Sequence, residues 1–240
     1  MFLPRILSNK PFAIDSLGVK VCPHEWTAPP AYEALVDAAW KDLRAQTRYQ
    51  IWDGTYYRVL NAAELERGTD DATLQLGTIR YRYVATFPTL HRQFADQQLE
   101  PLNHLSTGAL IRTTDGNYLF GRRLLNGAVD LIGGGVQRDE MAVASGADLE
   151  QNLYKELREE VGLDRDEIEE LTGIGVLCSG TSNVLIMGHA QARLSAAEAT
   201  SRFAHRMEDE IAEPVFVPEH VLGDYLREMS DYRRLIPEML

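Results

Sequence analysis

The chain has little with which to cross a membrane, cross-link itself or grip a polyanion. Nowhere in its 240 residues do apolar side chains approach the roughly 18 in a row that a membrane-spanning helix needs. Only two cysteines occur, Cys22 and Cys178. They are far apart, so neither a disulfide framework nor a metal-spaced pair is expected, and free thiols are the simple reading. Basic residues are scarce, with 24 Lys and Arg against 36 Asp and Glu and a net charge of -12. That excludes the basic face a nucleic-acid backbone demands. It leaves room for a small anionic substrate, provided a metal supplies positive charge locally. The opening "MFLPRILSNKPFAIDS" has a short apolar stretch broken by Pro4 and no small-residue cleavage site. No leader is expected there, and a cytoplasmic location is. Internal repeats and low-complexity tracts are absent from the sequence.

Hydrophobic patterning divides the chain softly near residue 104, into an N-terminal α+β segment (1–104) and a second unit (105–240). In the first, "PPAYEALVDAAWKDLRAQ" has helical spacing. "TYYRVLNAAEL" and "LQLGTIRYRYVATF" are aromatic and β-branched and are expected as strands, which puts Tyr81 and Tyr83 on one strand face. "GTDDAT" is expected as a turn or loop and "QQLEPLNHLS" as a connector. In the second, "TGALIRTTDGNYLFGRR" predicts a hairpin about Asp115-Gly116. "NGAVDLIGGGVQ" predicts a short strand ending in Gly133, Gly134 and Gly135. "SGADLEQNLYKELREEVGL" predicts a helix, with Ser145 or Asp148 as cap and Gly162 as its left-handed stop. Two strands, a helix, the short strand "EPVFVP" and a final helix follow. The fold class expected is a layered α/β (α+β) arrangement.

Charge is concentrated in that helix and just beyond it. From Gly146 to Glu170 there are ten acidic and three basic residues, a net of -7 out of -12. Most such runs are solvated faces, and Asp164, Asp166, Glu167, Glu169 and Glu170 suit that reading. Glu156 and Glu160 do not. At 3.6 residues per turn the core stripe runs through Leu149, Leu153, Leu157 and Val161, and both carboxylates fall within about 20° of Leu149. Lys155 and Arg158 turn elsewhere. Adjacent carboxylates aimed at a core are costly unless paired or metal-bound. A hard divalent cation offsets them, and a glycine-rich bend upstream lets backbone come close to an oxyanion.

These residues resemble the Nudix hydrolases. "KELREEVGL" matches the second half of that family's signature except that Lys155 stands for Arg. Gly134, five residues and Glu140 match the first half. Fourteen residues then separate Glu140 from Lys155, where the family has seven; counted back without an insertion, the position falls on Ala147. The resemblance implies an α/β/α sandwich with a mixed sheet and an N-terminal α+β extension. It implies Mg²⁺ or Mn²⁺ held by Glu156, Glu159 and Glu160, with Glu159, Glu160 and Lys155 as catalytic residues. Gly134, Gly135, Arg112 and Arg122 are the expected substrate contacts. Of the Arg122-Arg123 pair only one should reach the site, because strand neighbours face opposite ways. Glu208, Asp209, Glu210 and Glu213 are candidates for a general base from a later loop, and His189 is expected to be structural. The activity implied is cleavage of a nucleoside diphosphate linked to another group. The long spacer and the N-terminal segment are similar to the UDP-glucose/UDP-galactose-hydrolysing branch known in animals. The expected partner is that small molecule, with no nucleic acid and no membrane, and a homodimer is allowed. Two alternatives are a nucleotide-metabolite binding module without turnover and an isomerase on the same fold. The two isolated cysteines give the isomerase little support.

Overall fold

The computed structural model describes residues 3–46, 51–67, 73–93, 100–181, 183–229 and 231–240. Among these residues eleven strands join one mixed sheet, and helices lie on both faces of it. The main path runs β1 (Arg5–Ser8), β9 (Ile168–Cys178), β10 (Asn183–Ala192), β5 (His104–Arg112), β3 (Thr55–Val59), β4 (Leu74–Arg80) and β2 (Val19–Trp26). β5 pairs in parallel with β10, and β2 with β4; the other pairings are antiparallel.

A second layer of pairing branches from β5. Its far end pairs with β6 (Asn117–Arg123), which carries β7 (Val129–Asp130) and β11 (Ile211–Pro218). Its middle pairs with β8 (Ile132–Gly135), so that Thr107 faces Gly134 and Gly108 faces Gly133. The sheet is therefore continuous across residue 104, where β5 begins. Residues before it supply β1 and β3, which pair with β9 and β5.

The expected acidic helix forms as α4 (Gly146–Val161). Ser145 and Asp148 close a capping box at its start, and Gly162 stops it at φ 74°. Leu149, Leu153, Leu157 and Val161 are buried against the inner strands. On the other face, the helix Glu219–Arg227 and the C-terminal 3-10 turn (Tyr232–Glu238) bury Leu222, Leu226 and Ile236.

The N-terminal segment departs from expectation at two places. α1 (Pro30–Gln46) forms, but the stretch expected as one long strand becomes β4 followed directly by α3 (Tyr81–Gln93). Aromatic composition suggested a strand there. Tyr83, Phe87 and Leu90 also stand at i, i+4 and i+7, and all three are buried with Val36 of α1, so tertiary packing decides for the helix. "TYYRVLNAAEL" likewise splits, into β3 and a short helix α2 (Ala62–Glu66). Most of "GTDDAT" and part of "QQLEPLNHLS" fall outside the described residues. Among the described residues, no helix is long and apolar enough to cross a membrane.

Candidate functional site

The site grows from one ridge of α4. Asn152, Glu156 and Glu160 follow one another at four-residue spacing, and all three are buried. Asn152 donates to Thr107 Oγ1 of β5 at 2.9 Å, which fixes the helix against the sheet. The next two positions then lie against β8. A Cβ on Gly134 would stand 2.5 Å from Glu156 Oε2, so only glycine lets this carboxylate rest on the strand. Gly133 has φ 151°, and a Cβ there would strike Thr107 O at 2.2 Å. Its N–H donates to Glu160 Oε2 at 2.9 Å.

Two cations of the chain share the carboxylates. Arg123 donates to Glu160 and to the carbonyls of Leu131 and Gly133, the latter two both at 3.2 Å. Lys155 Nζ lies 2.6 Å from Glu140, 3.2 Å from Glu159 and 3.9 Å from Glu156. Burial, and then the neighbouring Glu160, pushes Glu156 up to about 8. Burial pushes Glu160 up to about 7, with Arg123 and the Gly133 N–H opposing it. Burial alone would lower Lys155, but the hydrogen bond it donates to Glu140 and the charges of Glu156, Glu140 and Glu159 hold it above an ordinary lysine. Four carboxylates, Glu140, Glu156, Glu159 and Glu160, thus share two cations, and among the described residues that of Glu156 accepts no hydrogen bond.

Glu140 sits in the cluster in spite of the long spacer. The reason is visible in residues 137–145, which are pinned to β3. Arg138 N donates to Thr55 O, Thr55 N donates to Asp139 Oδ2 and Val143 N donates to Tyr57 Oη, at 2.8, 2.8 and 3.0 Å. The extra length is spent along β3 and returns Glu140 to Lys155. Ala147 is exposed on the first turn of α4 and takes no part. The backbone of the 207–210 loop also closes on the helix, with Met207 N and Glu208 N both donating to Glu159 O at 3.0 Å. Burial against the helix and the charges of Glu159 and Glu210 raise Glu208. Asp209 pairs with Arg206, and Glu210 lies 3.4 Å from Arg123.

Two expected substrate contacts lie elsewhere. Arg122 faces away from β8 and pairs with Glu213 across β11 at 2.6 Å. Strand alternation gives the inward position to Arg123 instead. Arg112 stands at the far end of β5, four residues past Gly108, and pairs with Glu219 at 2.8 Å and Gln191 at 3.1 Å. Tyr81 and Tyr83 do not share a strand face. Tyr83 is buried on α3 and donates to Glu33 at 2.6 Å, and Tyr81 stacks on Tyr56 at 5.1 Å. His189 faces the Tyr118 hydroxyl at 3.2 Å, a structural pairing.

Sequence reasoning missed Asn152, whose place on the 152–156–160 ridge was a readable signal. It also missed Asp130 and Tyr56. Tyr56 lies over Gly135, so that a Cβ there would touch its ring at 2.6 Å.

Among the described residues, no three His, Cys, Asp or Glu side chains are already gathered as a metal cage. The donors nonetheless fit a hard divalent cation. Glu156, Glu159 and Glu160 offer only oxygens, and among the described residues Glu156 is a buried carboxylate with no hydrogen bond and no cation nearer than 3.9 Å.

No protein-family model matches the chain, and no curated protein matches it. Solved structures do. Three that it is similar to are Nudix or MutT proteins. A MutT protein from Methanosarcina mazei Go1 is 21% identical, over 57% of this chain and 88% of that one, with a TM-score of 0.38. The Nudix domain of Shewanella oneidensis NrtR, crystallised with ADP-ribose, is 14% identical over 63% and 94%, with a TM-score of 0.40. A Nudix hydrolase from Nitrosomonas europaea is 15% identical over 50% and 76%, with a TM-score of 0.36. At these identities and scores the likeness decides nothing about the site, whose chemistry must be read from its own residues.

Proposed function

We propose that the chain is a Mg²⁺- or Mn²⁺-dependent Nudix-type hydrolase that cleaves the pyrophosphate of a nucleoside diphosphate linked to another group. A nucleotide sugar such as UDP-glucose is the finer reading. One observation carries the hydrolase reading: Glu140, Glu156 and Glu159 gather round one ammonium while Glu160 accepts from the Gly133 N–H of β8.

Phosphoanhydrides resist attack because their own charge repels a nucleophile, so a catalyst must neutralise, position and stabilise. Glu156, Glu159 and Glu160 would hold the cation, which when bound neutralises phosphate charge and acidifies a water. Arg123 orients Glu160 and presents its remaining positive charge to a phosphate. Lys155 orients Glu159 and Glu140, as a point charge rather than a fork. Gly133 and Gly134 keep the strand bare, so that phosphates can approach backbone. Glu208, on the loop whose backbone bonds Glu159 O, would accept a proton, with Glu159 or Glu160 as the alternative acceptor. The N-terminal segment (1–104) acts on the catalytic unit (105–240) through β3, by holding Glu140's loop.

A second reading is favoured by Lys155 itself. Its ammonium already stands where it competes with a divalent cation, as suits a binding module without turnover. Phosphate release from UDP-sugars, ADP-ribose, dinucleoside polyphosphates and nucleoside triphosphates separates the two, measured with a coupled phosphatase in Mg²⁺, Mn²⁺ or EDTA. Metal-dependent cleavage highest for UDP-sugars is expected. Cleavage of another class keeps the hydrolase and removes the sugar reading. Binding without turnover leaves the module.

A further inference from the structure

A cavity of about 170 Å³ lies against the β5–β8 ladder. Thr107 turns toward α4, so Ser106 lies on the opposite sheet face, and Ser106 lines this cavity. Arg123 and the three glycines form the side shared with the carboxylate site. The volume is below the range of pockets that enclose a whole drug-sized ligand and suits one ring system of a nucleotide.

Its walls are of two kinds. Leu131 and Leu185 are apolar. Two of the polar groups, Asn183 and Asp130, each keep one open end. The Ser106 hydroxyl donates to Asn183 Oδ1 at 2.9 Å, which leaves the Asn183 amide N–H pair without a partner among the described residues. Asp130 Oδ1 accepts from Leu131 N at 2.9 Å, from the Tyr232 hydroxyl at 3.0 Å and from Arg233 at 3.4 Å. All three donors crowd onto one oxygen, so among the described residues Oδ2 has no donor and is open to accept. The cavity therefore offers one held donor, one held acceptor and leucine side chains. A ribose, whose recognition rests on a pair of adjacent hydroxyls, gains little from leucine. A planar heterocycle with polar atoms on its edge satisfies both kinds of wall.

We propose that this cavity seats the nucleobase and that Asp130 and Asn183 determine which base is taken. Asp130 Oδ2 accepts from a base N–H, and the Asn183 amide donates to a base oxygen or ring nitrogen. The proposal rests on the pyrophosphatase reading, which puts the phosphates at the Arg123–Gly133 mouth. Polar groups held in place and left unpaired by the wrong base are what make such a pocket selective.

The test is calorimetric binding of the four nucleoside monophosphates in EDTA, to the full chain and to Asp130→Asn and Asn183→Asp. Each change is isosteric and inverts the open end of one group. The wild type should prefer one base over the weakest by on the order of tenfold or more. Each variant should lose on the order of tenfold for that base and flatten the order, with an unchanged circular-dichroism spectrum. Equal affinities for all bases, an order that survives both changes, or no binding at all would overturn the proposal. The two substitutions lie on different strands, so if one variant does not fold the other decides. Metal-dependent hydrolysis by wild type, measured alongside, keeps the two failures apart. Turnover without base preference removes this inference and leaves the hydrolase; base-selective binding without turnover does the reverse.

Discussion

Two acidic regions stand next to each other in the chain and have opposite fates. Residues 164–170 carry Asp164, Asp166, Glu167, Glu169 and Glu170, and these charges meet solvent or surface cations. Asp164 lies 3.5 Å from Arg158, and Glu167 lies 2.6 Å from Arg202. One turn earlier, Glu156 and Glu160 are 7% and 2% exposed. Among the described residues their cost is met by one guanidinium, one backbone N–H and an off-centre lysine. Surface pairs contribute little to stability. Buried carboxylates without full partners are costly, and a chain that keeps them has a use for them. Density of charge alone does not separate the two regions; the helical phase does.

The comparison breaks most severely if the two regions respond alike to charge removal. Glu160→Gln and Glu156→Gln should each lower kcat by about 10²–10⁴-fold, whereas Glu169→Gln should leave it within about twofold. Steady-state hydrolysis of the best substrate checks both.

The next contrast is between neighbours on β6. Arg123→Ala leaves Glu160 buried beside a single N–H. It should cost about 3 kcal/mol in a denaturant titration and at least tenfold in kcat/KM. Arg122→Ala breaks only the exposed pair with Glu213 and should cost under about 0.5 kcal/mol.

pH sharpens the contrast further. Glu156 and Glu160 rise from an ordinary 4.5 to about 8 and about 7. Each holds its proton more tightly folded than unfolded. Their contribution is therefore fully present below about 4.5 and is lost as pH rises through about 7 to 8. Metal-free protein should lose about 1–3 kcal/mol between pH 5 and pH 9, and Glu156→Gln should flatten that slope. Thermal melts across pH in EDTA would show it. The smallest effect expected is on fold. Gly134→Ala should displace the Glu156 carboxylate and lower kcat by about tenfold, while shifting Tm by only a few degrees.

How far the sequence was legible follows the same division. The α4 caps, its buried stripe and the inward turn of Glu156 and Glu160 could be read from one periodic pattern, because a helix fixes side-chain direction by spacing alone. The Asp115-Gly116 hairpin was legible for a similarly local reason. The choice between Arg122 and Arg123 was not, because alternation says that they differ but not which face is inside. Glu140's return was also hidden, since it depends on Thr55 and Tyr57 in β3, more than eighty residues away in the chain. Tyr81 to Leu90 misled by composition, where packing against α1 overrode strand propensity. The cavity residues Asp130, Asn183 and Tyr232 come from three distant segments and share no motif.

The most direct measurement is a Mn²⁺ titration of wild type, Glu156→Gln and Glu160→Gln near pH 8, followed by electron paramagnetic resonance of the free ion. The account predicts saturable binding to the wild type and at least tenfold weaker binding to either variant. Mn²⁺ affinity unchanged by both substitutions, or no binding to the wild type, would contradict it.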